Sequence, residues 1–316
     1  MERLVAPWYL LHDFRRCLAD ESHQCRRETY GLVRSLYVRS HGASRRMLRG
    51  LYRRLRPVHP DLATFEPQRL LELRRDGITV WPGFLDGGTV AALRAYFEPR
   101  PSRPVGKDFV RGAPVRVEQA DGTPRLAYES EEVLRAPGVL ELLADRSIQN
   151  LAAAYLGCEP IFTAANAWWS LADPAADDEA LSWAAQLFHF DYDWPAFVKF
   201  FFYLSDVGDA DGPFTYVQGT HERKQEWRDG RVDDRAIREA YGDRVRAITG
   251  RAGDLIVADT AGYHKGARVA AGPRLMLQLE FCVARLGAGF QYPRFARSQR
   301  PRSDFRHTFD IFCESR

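Results

Sequence analysis

The residues of this chain best placed to do chemistry together are His189 and Asp191, in the stretch QLFHFDYDWP at 186 to 195. Side chains two apart on an extended segment point to the same face, so if this aromatic stretch is extended, the imidazole and the carboxylate converge. They make two-thirds of a metal site. The third ligand must come from elsewhere, and His264, in DLIVADTAGYHKG just after another strand-like run, is the best-placed candidate. Two imidazoles and one carboxylate on one side of a metal leave its other positions open, which suits an iron(II) ion that must also bind a cosubstrate and dioxygen. In a chain with eight histidines and 42 acidic residues, His-x-Asp also arises by chance. Its surroundings have to decide.

Those surroundings are rich in strand signals. Apolar and β-branched runs fall at about 161–171, 186–192, 197–205, 213–217, 254–259, 265–269 and 274–285, with a charged stretch at 222–247 that reads as helical. Ahead of them, residues 64–99 read as helix, an Asp76-Gly77 turn, a short strand Ile78 to Trp81, a Pro82-Gly83 turn and a second helix from about Thr89. Residues 101–130, rich in Pro, Gly and charge, read as a long loop or lid, and 131–156 as helical. Helices gathered before many strands indicate an α+β arrangement in which an antiparallel sandwich or barrel carries the site.

The N-terminal segment is different. Between Ser22 and Arg56, ten arginines stand against one acid, Glu28, although the whole chain carries a net charge of only +3. Met47, Leu48, Leu51, Tyr52 and Leu55 fall at helical spacing among these arginines, so residues 7–56 read as two or three helices, the last amphipathic and basic. The plain reading is a helix that lays its apolar stripe on the main domain and solvates its arginines. The sharper one is a dock for an anionic partner or membrane surface at residues 22–56. Pro57 and Pro60 end the run, dividing the chain into a basic helical extension, 1–60, and a main domain, 61–316.

At 316 residues and 45% apolar, the chain can bury a sizeable core. The run FVKFFFYL at 197–204 is too short to span a bilayer, and the N-terminus lacks the apolar stretch of a signal peptide, so a cytoplasmic protein without a transmembrane segment is expected. Five cysteines without CxxC pairing read as reduced thiols. His12, Cys17, His23 and Cys25 match no recognised zinc spacing.

Three separated blocks resemble one family, the phytanoyl-CoA dioxygenase-like branch of the iron(II)/2-oxoglutarate-dependent oxygenases. They are LLELRRDGITVWPGFLDGGTVAALR; then FHFDYDW followed by KFFFYLSDVGDADGPFTYVQGTHE; then GDLIVADTAGYHKGARVAAGPRLMLQLEF. Their order and spacing cover most of residues 64–286. The resemblance implies a double-stranded β-helix (jelly-roll, cupin-like) core flanked by helices, with iron(II) at His189, Asp191 and His264. It implies 2-oxoglutarate as cosubstrate with O2, and places the cosubstrate's arginine at Arg274. A guanidinium matches a carboxylate bidentately, as lysine cannot. If Ala270-Ala271-Gly272-Pro273 turns a hairpin, Arg274 lies opposite about Val269, five residues or roughly 16 Å along the strand from His264.

Many relatives carry a serine two residues after the distal histidine to hold the cosubstrate, whereas this chain has Gly266. A second anchor must come from another group: Lys199 and Phe201, which share one face of their strand, or Gln186, with Lys107 in the long loop a weaker choice. Burying Lys199 without a carboxylate would be costly. Trp168, Trp169, Trp194 and Tyr263 line the substrate pocket or pack the sheets, and His221 closes a turn. Asp191 argues against halogenation, for which relatives carry a small residue there.

The implied function is a dioxygenase that hydroxylates a small-molecule substrate, biosynthetic or lipid-like, with release of succinate and CO2. The same oxidant can also give desaturation, epoxidation or cyclisation. The reading from another class is a non-catalytic jelly-roll binding protein that docks through its basic N-terminal helices. Nucleic acid is not an expected partner.

Overall fold

The computed structural model describes residues 27–107, 112–192, 195–225, 230–284, 300–306 and 308–309. Helices come first: α1 (Arg27–Arg39), α2 (Ala43–Leu55), α3 (Pro67–Asp76), the short strand β1 (Ile78–Trp81), then α4 (Gly87–Phe97). Strands β2 (Arg103–Pro104) and β3 (Arg125–Ala127) precede α5 (Ser130–Leu134), α6 (Val139–Ala144) and α7 (Arg146–Leu156). After β4 (Ile161–Ser170) and α8 (Asp178–Trp183) come β5 (Phe197–Tyr203), β6 (Phe214–Val217) and α9 (Asp234–Tyr241). The remaining strands are β7 (Val245–Ile248), β8 (Leu255–Ala258), β9 (His264–Gly266) and β10 (Arg274–Cys282). None of the described helices is long and apolar enough to cross a membrane.

Two antiparallel sheets face each other. The larger has seven strands in the order β1-β8-β5-β10-β4-β3-β2, the smaller three in the order β7-β6-β9. Alternation along each strand divides the residues between faces. From β5, Val198, Phe200 and Phe202 join Leu275, Leu277 and Leu279 of β10 in a core shared with the helices. The intervening Phe201, Tyr203 and Met276 meet Phe214 and Tyr216 of the smaller sheet. That is the interior of a double-stranded β-helix. It also explains why β5 is buried at every residue: one face meets helices and the other meets the second sheet.

Three local readings change. Among the described residues of the charged stretch 222–247, the one α-helix is Asp234–Tyr241, followed by a short 3-10 turn at Gly242–Arg244, and Val245–Ile248 is an edge strand whose two central residues are exposed. The stretch 186–192 has no regular strand, only bridges from Phe188 to Val232 and from His189 to His264. The hairpin expected at 270–273 does not exist: Val269 bridges to Asp211, whereas Arg274 pairs with Ser170. The chain between them passes from the smaller sheet to the larger one.

The family-like entry unit is held by its turn. Gly77 ends α3 with φ 80°, and a Cβ there would collide with the Tyr216 hydroxyl and the His221 ring. His221 is buried and its Nε2 donates to the Arg74 carbonyl at 3.2 Å, so it fastens the smaller sheet to α3, in keeping with a turn-closing role.

The basic helix α2 departs from the expected stripe. Leu48 and Tyr52 are buried, while Met47 is 69% and Leu55 54% exposed. The face turned inward carries arginines as well. Arg45 reaches Asp259 at 2.6 Å with both side chains buried, Arg49 pairs with Glu222 at 3.0 Å, and Arg53 donates to the carbonyls of Leu156 and Tyr155 at the C-terminal end of α7. Spaced four apart, these three lie on one side of the helix. The Asp259 carboxylate also accepts from the Tyr155 hydroxyl at 2.5 Å and the Ala261 N–H at 3.0 Å. Burial would raise its pKa, but Arg45, then His221 and the hydrogen bonds from Arg45 and Tyr155, hold it below the usual carboxylate range. The first 26 residues, with the His12, Cys17, His23 and Cys25 set, lie outside the described residues.

Removing one partner of a buried pair leaves the other charged and unpaired, so Arg45→Met should destabilise the fold by about 3–5 kcal/mol in urea titrations. The double variant Arg45→Met/Asp259→Asn should recover part of this; a loss below about 1 kcal/mol for Arg45→Met would show the pair to be dispensable. Because the folded pKa of Asp259 is depressed, its contribution is fully present above about pH 4 and is lost as pH falls through the depressed value. Asp259→Asn should therefore flatten the acid limb of the stability profile.

Candidate metal centre

His189, Asp191 and His264 meet in the interior, each offering an atom within 4.8 Å of the others'. His264 is the first residue of β9, paired with Tyr216 of β6, and the ladder continues on its other side through mutual backbone hydrogen bonds with His189, at 2.8 and 3.0 Å. Alternation then does the sorting: His189, Asp191 and His264 face inward, while Phe188, Phe190 and Tyr263 pack behind the smaller sheet. The Asp191 N–H donates to the Thr260 carbonyl at 2.8 Å, which fixes the end of the His189–Asp191 segment against the residues leading into β9.

The donor atoms are oriented for a cation. His189 Nδ1 lies 2.9 Å from the Leu187 carbonyl, and His264 Nδ1 lies 3.0 Å from that of Gly262. A carbonyl can only accept, so each Nδ1 carries its proton and each Nε2 presents a lone pair. Burial, before any charge effect, lowers the pKa of both rings and keeps them neutral, as ligation requires. Nε2 of His189 is 3.8 Å and Nε2 of His264 3.5 Å from Asp191 oxygens. Burial opposes the charge on Asp191, but Lys199, then His264 and His189, hold its carboxyl far below the usual range. The set of two neutral imidazoles and one carboxylate fits a divalent ion such as iron(II).

Lys199 is buried beside the triad with its Nζ 2.8 Å from Asp191 Oδ2 and 3.4 Å from Glu280. The carboxylates that offset its burial therefore belong to the chain itself. Glu280, its cross-strand neighbour on β10, was absent from the sequence reading. The signal was there: a lone acid in the apolar run LMLQLEF invites the same question as a lone lysine in FVKFFFY.

Arg274 is the complementary case. It is 2% exposed, its Nη2 donates to Ser170 Oγ at 2.8 Å, and its Nε and Nη1 have no hydrogen-bond partner among the described residues. Burial lowers its pKa, and no carboxylate stands among the causes of the shift. A guanidinium stays charged regardless, so two buried donors face the interior without an acceptor. The guanidinium also touches β9. A Cβ on Gly266 would lie 2.8 Å from Arg274 Nη2, so the glycine leaves room for the guanidinium in the position it takes here. Gly266 follows His264 by one strand repeat, about 7 Å. Crossing between sheets thus brings Arg274 much nearer to the metal ligands than a hairpin would have done.

The other sequence candidates divide. Phe201 and Trp168 lie inside, edge to face at 6.4 Å, with the Arg125 guanidinium 4.4 Å over the indole. Gln186 is buried, donating to the Pro124 carbonyl at 3.2 Å, and its Oε1 has no partner among the described residues. Tyr263 packs against Phe190 at 5.4 Å behind the smaller sheet, and Trp169 faces the helices, so neither ring faces the triad. Lys107 is exposed and pairs with Glu179 at 3.9 Å. Trp194 lies outside the described residues.

Comparison with solved structures agrees with this architecture. EctD from S. alaskensis, with 2-oxoglutarate and 5-hydroxyectoine, superposes with a TM-score of 0.54 at 18% identity, covering 81% of this chain and 90% of that one. The iron-bound form of EctD gives 0.51 at 17% identity, covering 71% and 79%. The α-ketoglutarate-dependent carbocyclase SnoK from nogalamycin biosynthesis gives 0.49 at 19%, covering 71% and 87%. No curated protein matches the sequence. The model of the phytanoyl-CoA dioxygenase family matches residues 73–275, from α3 to the start of β10. The chain belongs to that family, and it is an iron(II)/2-oxoglutarate-dependent oxygenase.

Proposed function

We propose that this oxygenase hydroxylates a small-molecule substrate, with iron(II) held by His189, Asp191 and His264 and with the distal carboxylate of 2-oxoglutarate paired to Arg274. The overall change balances as substrate C–H, 2-oxoglutarate and O2 giving substrate C–OH, succinate and CO2. The observation that carries the reading is Arg274: a buried cation with two unsatisfied donors, beside the strand that bears a metal ligand. An anion is what such a group lacks, and a five-carbon diacid has the length to reach from it toward the triad.

When bound, the iron supplies an oxidant able to take hydrogen from an unactivated C–H bond. The chain's own residues do the rest. The two Nδ1 hydrogen bonds aim the imidazoles, and Lys199, through Asp191 Oδ2, fixes how the carboxylate is presented. We assign Lys199 this positioning role. Phe201, Trp168, Phe214 and Met276 exclude water from the interior, which strengthens the ion pair at Arg274 and protects a reactive site from side reactions.

Anaerobic addition of iron(II) and 2-oxoglutarate should produce the weak visible charge-transfer band of a chelated 2-oxo acid, and His189→Ala or His264→Ala should abolish it. Iron binding without that band would refute the cosubstrate assignment. Arg274→Ala should weaken 2-oxoglutarate binding by about 2–5 kcal/mol, roughly 30-fold to a few thousand-fold, with metal affinity nearly unchanged. Arg274→Lys should recover only part, since a point charge cannot reproduce the fork.

Gly266→Ala tests the close approach directly. Crowding the guanidinium should cost about 1–3 kcal/mol in 2-oxoglutarate affinity, about five- to 150-fold, and leave the metal site intact. Unchanged affinity would mean that the arginine binds elsewhere.

A further inference from the structure

The N-terminal helix pair is oriented unlike a helix that merely covers a domain. Its inward face carries Tyr37 of α1 and Arg45, Leu48 and Tyr52 of α2, all buried, and α2 is held by the ionic and carbonyl partners of Arg45, Arg49 and Arg53. The apolar residues left over face water. Leu32 and Leu36 stand four apart on α1, and Met47, Leu51 and Leu55 stand four apart on α2, so each helix presents an exposed apolar stripe rather than scattered side chains. We propose that this face is a docking surface for a membrane, and that it lies on a bilayer bearing anionic phospholipid headgroups. The proposal does not depend on the metal triad or its cosubstrate.

Charge is the first support. Residues 31–56 hold eight arginines and no acid. The domain engages Arg45, Arg49 and Arg53, whereas Arg39, Arg46 and Arg54 are exposed and form no ion pair among the described residues. Their places border the stripes: Arg39 follows Leu36 by three, and the row Arg46, Gly50, Arg54 runs beside the row Met47, Leu51, Leu55. A helix lying in a bilayer interface has this arrangement, with guanidinium groups at the phosphates and leucines at the acyl boundary.

Side-chain chemistry is the second, and it favours lipid over a protein partner. Protein interfaces are anchored by aromatic residues seated in pockets. Here Tyr37 and Tyr52 turn inward, and the exposed stripes offer leucine and methionine alone. Flexible aliphatic side chains suit a fluid phase, which has no fixed shape to complement.

Attachment is the third. Arg45–Asp259 and Arg49–Glu222 tie α2 to the jelly roll, and Tyr37 of α1 packs on Phe190 at 6.3 Å, between the two ligands His189 and Asp191. Helices fixed in this way carry the whole domain to the surface instead of acting as a loose tether.

The test is flotation of the full chain at low ionic strength with vesicles of equal parts phosphatidylglycerol and phosphatidylcholine, and with vesicles of phosphatidylcholine alone. We expect partitioning onto the mixed vesicles, weakened by added salt and at least about tenfold weaker on phosphatidylcholine alone. Met47→Glu/Leu51→Glu should lower partitioning at least about tenfold, and Arg46→Gln/Arg54→Gln should remove the preference for anionic vesicles. Arg116→Gln/Arg135→Gln makes the same change in charge at two exposed arginines outside these helices and should float like the parent protein. All the substituted positions are exposed, so urea unfolding midpoints should match the parent's. The proposal is overturned if the parent does not float with the mixed vesicles, or if both α2 variants float as the parent does. An equal loss in Arg116→Gln/Arg135→Gln would also overturn it, since net charge rather than this face would then be responsible. If the parent instead sediments as a dimer that Met47→Glu/Leu51→Glu makes monomeric, the face belongs to a second copy of the chain and the membrane assignment fails.

Discussion

A single buried carboxylate organises much of this molecule. Asp259 has no exposed surface, and a charge so placed is tolerated only if it is answered on every side. Arg45 answers from the N-terminal helices, Tyr155 from α7 and the Ala261 N–H from its own turn. The same short segment then gives the Thr260 carbonyl to Asp191 and the Gly262 carbonyl to His264. Satisfying one ion thus fixes the basic helices, the packing of α7 and the aim of two metal ligands. These features look unrelated in sequence and share one electrostatic cause.

Arg274 shows the opposite economy. Most of the interior is satisfied, including Lys199 between its two acids, whereas Arg274 keeps two donors without acceptors among the described residues. Unpaired buried groups are rare enough in folded proteins that each calls for a reason. The reason we propose is recognition: the carboxylate of the cosubstrate would relieve local frustration in the free protein. Gly266 belongs to the same device, since removing a side chain from β9 is what makes room for the guanidinium.

What could be read from sequence divides along physical lines. The triad was legible because ligation needs particular residue types, and because alternation along extended chain places His189 and Asp191 on one face whether or not a ladder forms. The Asp-Gly turn after α3 was legible because Gly77 must adopt positive φ. Arg45 was not: it is one of ten arginines in a basic stretch, and its partner lies 214 residues away. Composition predicts solvated arginines, and only the tertiary fold distinguishes Arg45 from exposed Arg46. The strand Val245–Ile248 was hidden for a related reason, since an edge strand with two exposed central residues has no apolar alternation to read. The crossing between Val269 and Arg274 was misread because Ala-Ala-Gly-Pro satisfies hairpin chemistry as well as it satisfies a passage between sheets.

The long reach from Arg45 to Asp259 also sets an order of assembly. On a ribosome the basic helices emerge first, and the acid that anchors them follows 214 residues later, a delay of roughly ten to forty seconds at ordinary rates of synthesis. Until then α2 has neither its counter-ion nor the strands beneath it, and its arginines face solvent. Helix α2 is therefore among the last parts to take its native place, docking on a jelly roll whose β8 and β9 must already have been made.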